Sequence, residues 1–161
     1  MIIFGLDTST SATGWGVIDT KFEDNLRLID SGVIKPKKDK DAIDRAIYIT
    51  DEVKRLIANF KPDFVVIENL NVIRNMNTLR ALAGLIMTIE VYLRRRNMLT
   101  VMMTPSEWRR LVGIKGKTRE QLKQASIDFV FEKYGEKVSD DQADAICIAE
   151  AGSHLELEVG E

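Results

Sequence analysis

Ile2-Ile3-Phe4-Gly5-Leu6-Asp7-Thr8-Ser9-Thr10-Ser11 begins with an apolar run, closes it with a carboxylate and turns at once into a polar stretch. Such a run reads as a short buried strand. Asp7 therefore stands where the core meets an exposed turn, a suitable place to hold a metal. Phe64-Val65-Val66-Ile67 ends the same way, in Glu68. This second run is β-branched and apolar on both faces, which predicts a central strand covered on both sides by helices. If the two strands are parallel neighbours, both carboxylates reach one edge of the sheet.

Working outward, Gly14-Trp15-Gly16-Val17-Ile18 reads as a strand and residues 26–34 as another. The links around them are short and polar, which suits an antiparallel meander rather than crossovers. Over residues 41–60, Ile43, Ile47, Val53, Leu56, Ile57 and Phe60 fall at helical spacing, and Lys61-Pro62 stops that helix. Leu79, Leu82, Leu85, Ile86, Ile89 and Leu93 predict a helix over 79–96, followed by a strand at Leu99-Thr100-Val101-Met102-Met103. Three helix starts follow, at Thr104-Pro105-Ser106-Glu107, Thr118-Arg119-Glu120-Gln121 and Ser139-Asp140-Asp141-Gln142. Each sets a hydroxyl three residues before Glu or Gln, so that side chain and backbone satisfy each other's free groups. Gly152 is the expected terminator of the last helix.

The order of elements predicts an α/β fold with a five-stranded mixed sheet, three antiparallel N-terminal strands beside two parallel ones, flanked by helices. Its 161 residues suit one domain, expected over 1–152 with an acidic tail over 153–161. No apolar stretch approaches the roughly 20 residues that span a bilayer, and the N-terminal run lacks a basic leader. A soluble, cytoplasmic protein without membrane contact is the expectation. The single Cys147 lies between Ile146 and Ile148 and reads as a core thiol rather than a nucleophile.

A net charge of -2 argues against a surface that grips polyanions everywhere, yet the charge is segregated. Arg109, Arg110, Lys115, Lys117, Arg119 and Lys123 form one basic cluster, and Lys35-Pro36-Lys37-Lys38 and Arg94-Arg95-Arg96 form two smaller ones. Solvated helix ends explain such clusters as readily as a phosphate surface does.

Asp141 and Asp144, at i and i+3, share one face of the last helix. With Asp7 and Glu68 they make four oxygen donors on three elements, the donor set preferred by Mg²⁺ or Mn²⁺. Such a set can hold two ions about 4 Å apart, the spacing used in phosphodiester hydrolysis. Asp141 has a second explanation, because negative charge in a first helical turn is favoured anyway. Asp144 precedes Ala145-Ile146-Cys147-Ile148-Ala149, where an unpartnered charge is costly. His154 is the sole histidine, and neither a Walker loop nor a dinucleotide fingerprint is present. Carboxylates are left to carry the chemistry.

Gly5-Leu6-Asp7, Ser9 and Thr13-Gly14-Trp15-Gly16-Val17-Ile18 together resemble the opening of the RuvC family of Holliday-junction resolvases. Ser31-Gly32-Val33-Ile34, Lys61-Pro62-Asp63-Phe64-Val65-Val66-Ile67-Glu68-Asn69 and Asp141-Gln142-Ala143-Asp144-Ala145-Ile146 resemble its later blocks, in order. The resemblance implies an RNase H-like fold and a homodimeric endonuclease that makes paired nicks in four-way DNA junctions with Mg²⁺ or Mn²⁺. Residue by residue it carries the four metal-binding acids onto Asp7, Glu68, Asp141 and Asp144. Val112-Gly113-Ile114 followed by Lys115, Lys117 and Arg119 is similar to the family's basic loop. Thr8-Ser9-Thr10 replaces the Pro-Gly common after the first aspartate, and Asn71 stands where many bacterial members carry an aromatic. These departures fit a relaxed, phage-type relative acting on several branched structures.

Leu82, Leu85, Ile86 and Ile89 are open to two readings, a dimer interface or a helix covering its own sheet. Trp108 is expected as a core anchor, with base stacking as the alternative. For function, the alternatives are a catalytically silent branched-DNA-binding module and, from the Ser/Thr-rich turn after Asp7, a phosphate-binding relative of the actin-like kinases.

Overall fold

The computed structural model describes residues 1–21, 27–70 and 75–155, and within them five strands build one sheet. These are β1 (Ile2–Asp7), β2 (Thr13–Asp19), β3 (Arg27–Ile34), β4 (Phe64–Glu68) and β5 (Leu99–Met103), in the spatial order β3-β2-β1-β4-β5. The β1–β2 and β2–β3 pairs are antiparallel, whereas β4 is parallel to both β1 and β5. The helices are α1 (Ala42–Phe60), α2 (Met76–Arg94), α3 (Pro105–Val112), α4 (Arg119–Tyr134) and α5 (Asp140–Ser153). The expected α/β architecture with an antiparallel flank is what the chain adopts. Leu26, Asn71 and residues 156–161 of the expected tail lie outside the described residues.

Alternation along the strands sorts the two faces of the sheet. Phe4, Leu6, Val65 and Ile67 point to one core, which α1 closes with Val53 and Ile57 and α2 with Leu85 and Ile89. Ile3, Phe64 and Val66 point to the other, with Trp108 of α3, Val130 of α4 and Ile146 of α5. Asp7 and Glu68 have the parity of this second group, so both project towards the α5 side. That parity was set by the sequence alternation before any tertiary contact.

Helix α5 lies directly on the β1–β2 backbone because the strands carry glycine beneath it. A Cβ on Gly5 would stand 2.3 Å from the Ala145 carbonyl oxygen, and one on Gly14 only 1.9 Å from that of Asp141. The helix answers with small residues of its own, Ala143, Ala145, Ala149 and Ala151, all buried. Capping starts it: the Ser139 side chain accepts from the Gln142 N–H while the Gln142 side chain returns to the Ser139 backbone. The other two expected capping boxes are also formed, at Thr104 with Glu107 and at Thr118 with Gln121.

Three local expectations are corrected. Gly152 does not end α5, which runs to Ser153; it is buried where a Cβ would meet Val66 Cγ2 at 2.7 Å, so its missing side chain serves packing on the sheet. Helix α2 starts at Met76 rather than Leu79, because Asn75 caps it one turn earlier by accepting from the N–H groups of Asn77 and Thr78. Ile43 and Ile47 are 72% and 54% exposed, since the buried contacts of α1 begin only at Ile49. Beside them the first turns of α2 leave an apolar groove of about 650 Å³. Leu85, Ile86 and Ile89 are buried in the chain's own core, so of their two readings the sheet-covering one holds.

Candidate active site at the carboxyl edge of the sheet

Asp7 ends β1 and stands opposite Gly14 of β2. On its other side Leu6 pairs with Ile67, which leaves Glu68 as the next residue at the end of the adjacent parallel strand. The Asp141 carbonyl rests on Gly14, so the first turn of α5 is seated beside the same strand end. The turn between β1 and β2 is braced from within: Thr13 Oγ1 donates to the Ser9 carbonyl at 2.7 Å and accepts from the Ser9 N–H at 3.2 Å. At the end of β4, the Asn69 N–H donates to the Met103 carbonyl at 2.7 Å, which ties Glu68 to β5.

All four acids are raised, and Asp7 feels the charges of the other three. Burial, followed by the charges of Glu68, Asp144 and Asp141, pushes Asp7 up to about 8, and Arg109 opposes the shift. Glu68 is raised by burial, with the Trp108 hydrogen bond and Arg109 pulling it back. Burial also raises Asp144, tempered by Ser126 and Arg109, and raises Asp141, where Asp140 adds to the effect. Clustered carboxyls with opposed ionisation are a physical mark of a functional site.

Asp144 is 9% exposed, and its Oδ1 is buried without a hydrogen-bond partner among the described residues. A buried carboxylate oxygen left unpaired is costly unless something positive occupies that side. The oxygen-only donor set and this orphaned atom fit a hard divalent cation. As the side chains stand, no three acidic, histidine or cysteine groups among the described residues are close enough to enclose an ion.

Asp140 and Asp141, adjacent in sequence, are separated by their partners. The Lys123 ammonium pairs with Asp140 Oδ2, and that bond lowers the Asp140 carboxyl below its usual range. Asp141 makes no such pair among the described residues, which leaves it the available member of the two. Lys123, expected on the phosphate surface, instead ties α4 to the start of α5. Among the other expected cations, Arg110, Lys115, Lys117 and Arg119 are exposed. Arg109, Arg110 and Lys115 line a groove of about 400 Å³ at the junction of α3 and α4. Arg109 lines this groove and also favours the ionisation of Asp7, Glu68 and Asp144. Cys147 is fully buried, and burial pushes its thiol up, in keeping with a core role.

The sequence reading missed one contact at the site. Trp108 Nε1 donates to Glu68 Oε2 at 2.8 Å, and the Arg109 guanidinium stands over the Trp108 ring at 4.6 Å. A buried indole needs an acceptor, which is the signal that pointed to such a partner, but nothing local identifies a residue 40 positions away.

The elevated Asp7 has a consequence for stability. Its value in the fold, about 8 against 3.8 for the free side chain, means the folded state holds this proton more tightly than the unfolded state. Without divalent cation, stability therefore falls as pH rises from about 4 to about 8 and levels off beyond. Asp7→Asn removes that loss and should stabilise the protein at high pH by on the order of 2 kcal/mol. Urea unfolding with a chelator present, near pH 5 and near pH 9, measures it; an equal pH dependence in both proteins counts against the coupled site.

A mixed five-stranded sheet in this order, helices on both faces and acids at the end of the first and fourth strands define an RNase H-like nuclease fold. The sequence matches the family described as crossover junction endodeoxyribonuclease RuvC over residues 3–151, and the chain belongs to that family. Curated members include proteins of that name from Fusobacterium nucleatum, 28% identical over 152 residues with 92% of this chain and 77% of that protein covered, and from Petrotoga mobilis, 27% identical over 149 residues with 92% and 91% covered. Among solved structures, T. thermophilus RuvC in complex with a Holliday junction substrate has TM-score 0.79 at 18% identity, covering 95% of this chain and 93% of that one. The fowlpox virus Holliday junction resolvase has TM-score 0.65 at 16% identity, covering 95% and 99%.

Proposed function

We propose that this RuvC-family endonuclease resolves four-way DNA junctions, and other branched DNA, by paired nicks made at Asp7, Glu68, Asp141 and Asp144. The observation that carries the reading is the buried Asp144 oxygen without a partner, set among three other carboxyls at one sheet edge. Divalent cations, Mg²⁺ with Mn²⁺ as substitute, would be held by these four acids and would supply an activated water and stabilisation of the leaving oxygen. The protein's own share is positional. Strand ends hold Asp7 and Glu68, and the glycine-seated α5 presents Asp141 and Asp144 to them. Arg109 favours the charged forms of Asp7, Glu68 and Asp144 against their burial, and the exposed Arg110 and Lys115 at the adjoining groove, with the exposed Lys117 and Arg119, take DNA phosphates. Lys123 supports that surface through Asp140.

Phosphate contacts of this kind supply salt-dependent affinity, and the shape of the branch supplies selectivity. A homodimer matches the two-fold character of a four-way junction and gives it two active sites. The groove between α1 and α2, with Ile43 and Ile47 exposed beside it, is apolar surface of the kind a second copy covers. A cytoplasmic protein with one nuclease domain over 1–152 and an acidic tail over 153–161 completes the proposal; no described helix is long and apolar enough to cross a membrane.

A panel of four-way, three-way, forked and linear DNA beside an RNA–DNA hybrid, at two salt concentrations, tests the reading. Nicks in the four-way junction with Mg²⁺, abolished by chelation, are expected, with linear duplex left intact. Alanine at Arg110, Lys115, Lys117 and Arg119 together should reduce the slope of log affinity against log salt by roughly 3 to 4. Junction binding with no nick under either ion identifies a silent binding module instead, and preferential cutting of the hybrid identifies a different substrate class.

A further inference from the structure

Glu68 is held at both ends. Its backbone is fixed in the β4–β5 ladder opposite Met103, and its carbonyl accepts from Thr8 Oγ1 at 3.5 Å. Its side chain is fixed by a residue the chemistry of the site does not require: Trp108 Nε1–H donates to Oε2 at 2.8 Å from α3. Trp108 is fully buried, so the indole has no alternative orientation without opening the core. Glu68 Oε1 takes no hydrogen bond among the described residues, whereas Oε2 is committed to the indole. One oxygen is thus anchored and the other is left without a hydrogen bond among the described residues, in a carboxyl whose charge couples to Asp7 and Asp144.

The same indole supports Arg109. Its guanidinium lies over the Trp108 ring at 4.6 Å, and its Nε is buried without a hydrogen-bond partner among the described residues. No carboxylate lies within salt-bridge distance of Arg109 among the described residues, so the ring rather than an acid fixes its place. From there its charge reaches Asp7, Glu68 and Asp144 without blocking their oxygens.

We infer that Trp108 is a positioning residue of the nuclease site: its indole N–H selects which Glu68 oxygen faces the divalent ion, and its ring stations Arg109 beside the acids. The inference rests on Glu68 being an ion ligand, as proposed above. It assigns a role to hydrogen bonding and not to bulk, because the core is equally filled by an aromatic ring without the N–H. Orienting partners of this kind typically change ion affinity or activity by about 10- to 100-fold.

The test uses three variants of the full chain: Trp108→Phe, Trp108 replaced by benzothienylalanine, which keeps the indole's shape with sulfur in place of N–H, and Glu68→Gln. Mn²⁺ binding is read from the loss of the free-ion paramagnetic resonance signal, without DNA, and junction cleavage is resolved into kcat and KM. The benzothienyl variant should bind Mn²⁺ roughly 10-fold more weakly and show kcat reduced by roughly 10- to 100-fold with KM within about twofold. Wild-type ion affinity and kcat in that variant, while Glu68→Gln loses both, overturns the clamp and leaves the ligand reading standing. Wild-type Mn²⁺ affinity in Glu68→Gln overturns the ligand reading and the clamp with it. The benzothienyl variant keeps the core filled, so loss of fold in Trp108→Phe alone does not decide the matter.

Discussion

Asp144→Asn and Glu68→Gln are each expected to lower the rate of junction nicking by at least about 1,000-fold while junction affinity stays within about threefold. The two halves of this expectation come from different parts of the molecule. Asp144 is 9% exposed with Oδ1 unpartnered, and its amide keeps the shape while removing the charge that a cation needs. DNA affinity is assigned to Arg110, Lys115, Lys117 and Arg119, exposed residues that neither substitution changes. Removing an acid also relieves repulsion among the remaining three, so binding of a polyanion is not weakened and can tighten slightly. Filter binding in a chelator followed by a single-turnover cleavage time course separates the two quantities. Wild-type cleavage by either variant shows that the reaction does not run through these carboxylates.

Gly14→Ala has the second large effect, on the position of α5. The new Cβ would stand 1.9 Å from the Asp141 carbonyl oxygen and 2.7 Å from its carbon, both backbone atoms that no rotamer change can move aside. The first turn of α5 must therefore lift from β2, carrying Asp141 and Asp144 with it. A loss of about 2–4 kcal/mol in stability is expected, together with nicking reduced by at least about 100-fold in the protein that remains folded. Gly84→Ala is the matched control: a Cβ there meets nothing within 4 Å, and the position lies in α2, away from the acids. It should be neutral or more stable by up to about 1 kcal/mol. Urea midpoints and cleavage rates per folded molecule check both, and a Gly14→Ala protein as stable and active as wild type removes the glycine seat as the device that delivers α5.

Both results depend on features that differ in how far they could be read from residues alone. The carboxylates at the ends of β1 and β4 were legible because a buried strand announces itself locally, by a run of apolar residues, and its end by the first charge. The three capping boxes were legible for the same reason: the hydroxyl and its Glu or Gln are three residues apart, and the contact is made within one turn. Parity then placed Asp7 and Glu68 on one face once the strands were known to be parallel neighbours.

Contacts between elements distant in sequence were not legible. That Gly5 and Gly14 are bare because α5 lies on them depends on a helix more than 120 residues away. The indole clamp on Glu68 joins residues from β4 and α3, and the Lys123–Asp140 pair that distinguishes Asp141 from its neighbour joins α4 to α5. Periodicity also overstated the buried face of α1, because helical spacing records which residues share a side but not how far along the helix the sheet extends. Burial of an acid was likewise no sufficient guide. Glu150 is 1% exposed, yet it pairs with Lys133 and the Tyr134 hydroxyl at the other end of α5 and has the ordinary duty of joining two helices.

The most direct measurement is the location of the ions themselves. Anomalous diffraction from crystals soaked in Mn²⁺ should show ions bound by Asp7, Glu68, Asp141 and Asp144, two of them about 4 Å apart when a DNA phosphate is present. Peaks elsewhere on the chain, or none at these residues in a protein that still cuts junctions with Mn²⁺ in solution, would contradict the account.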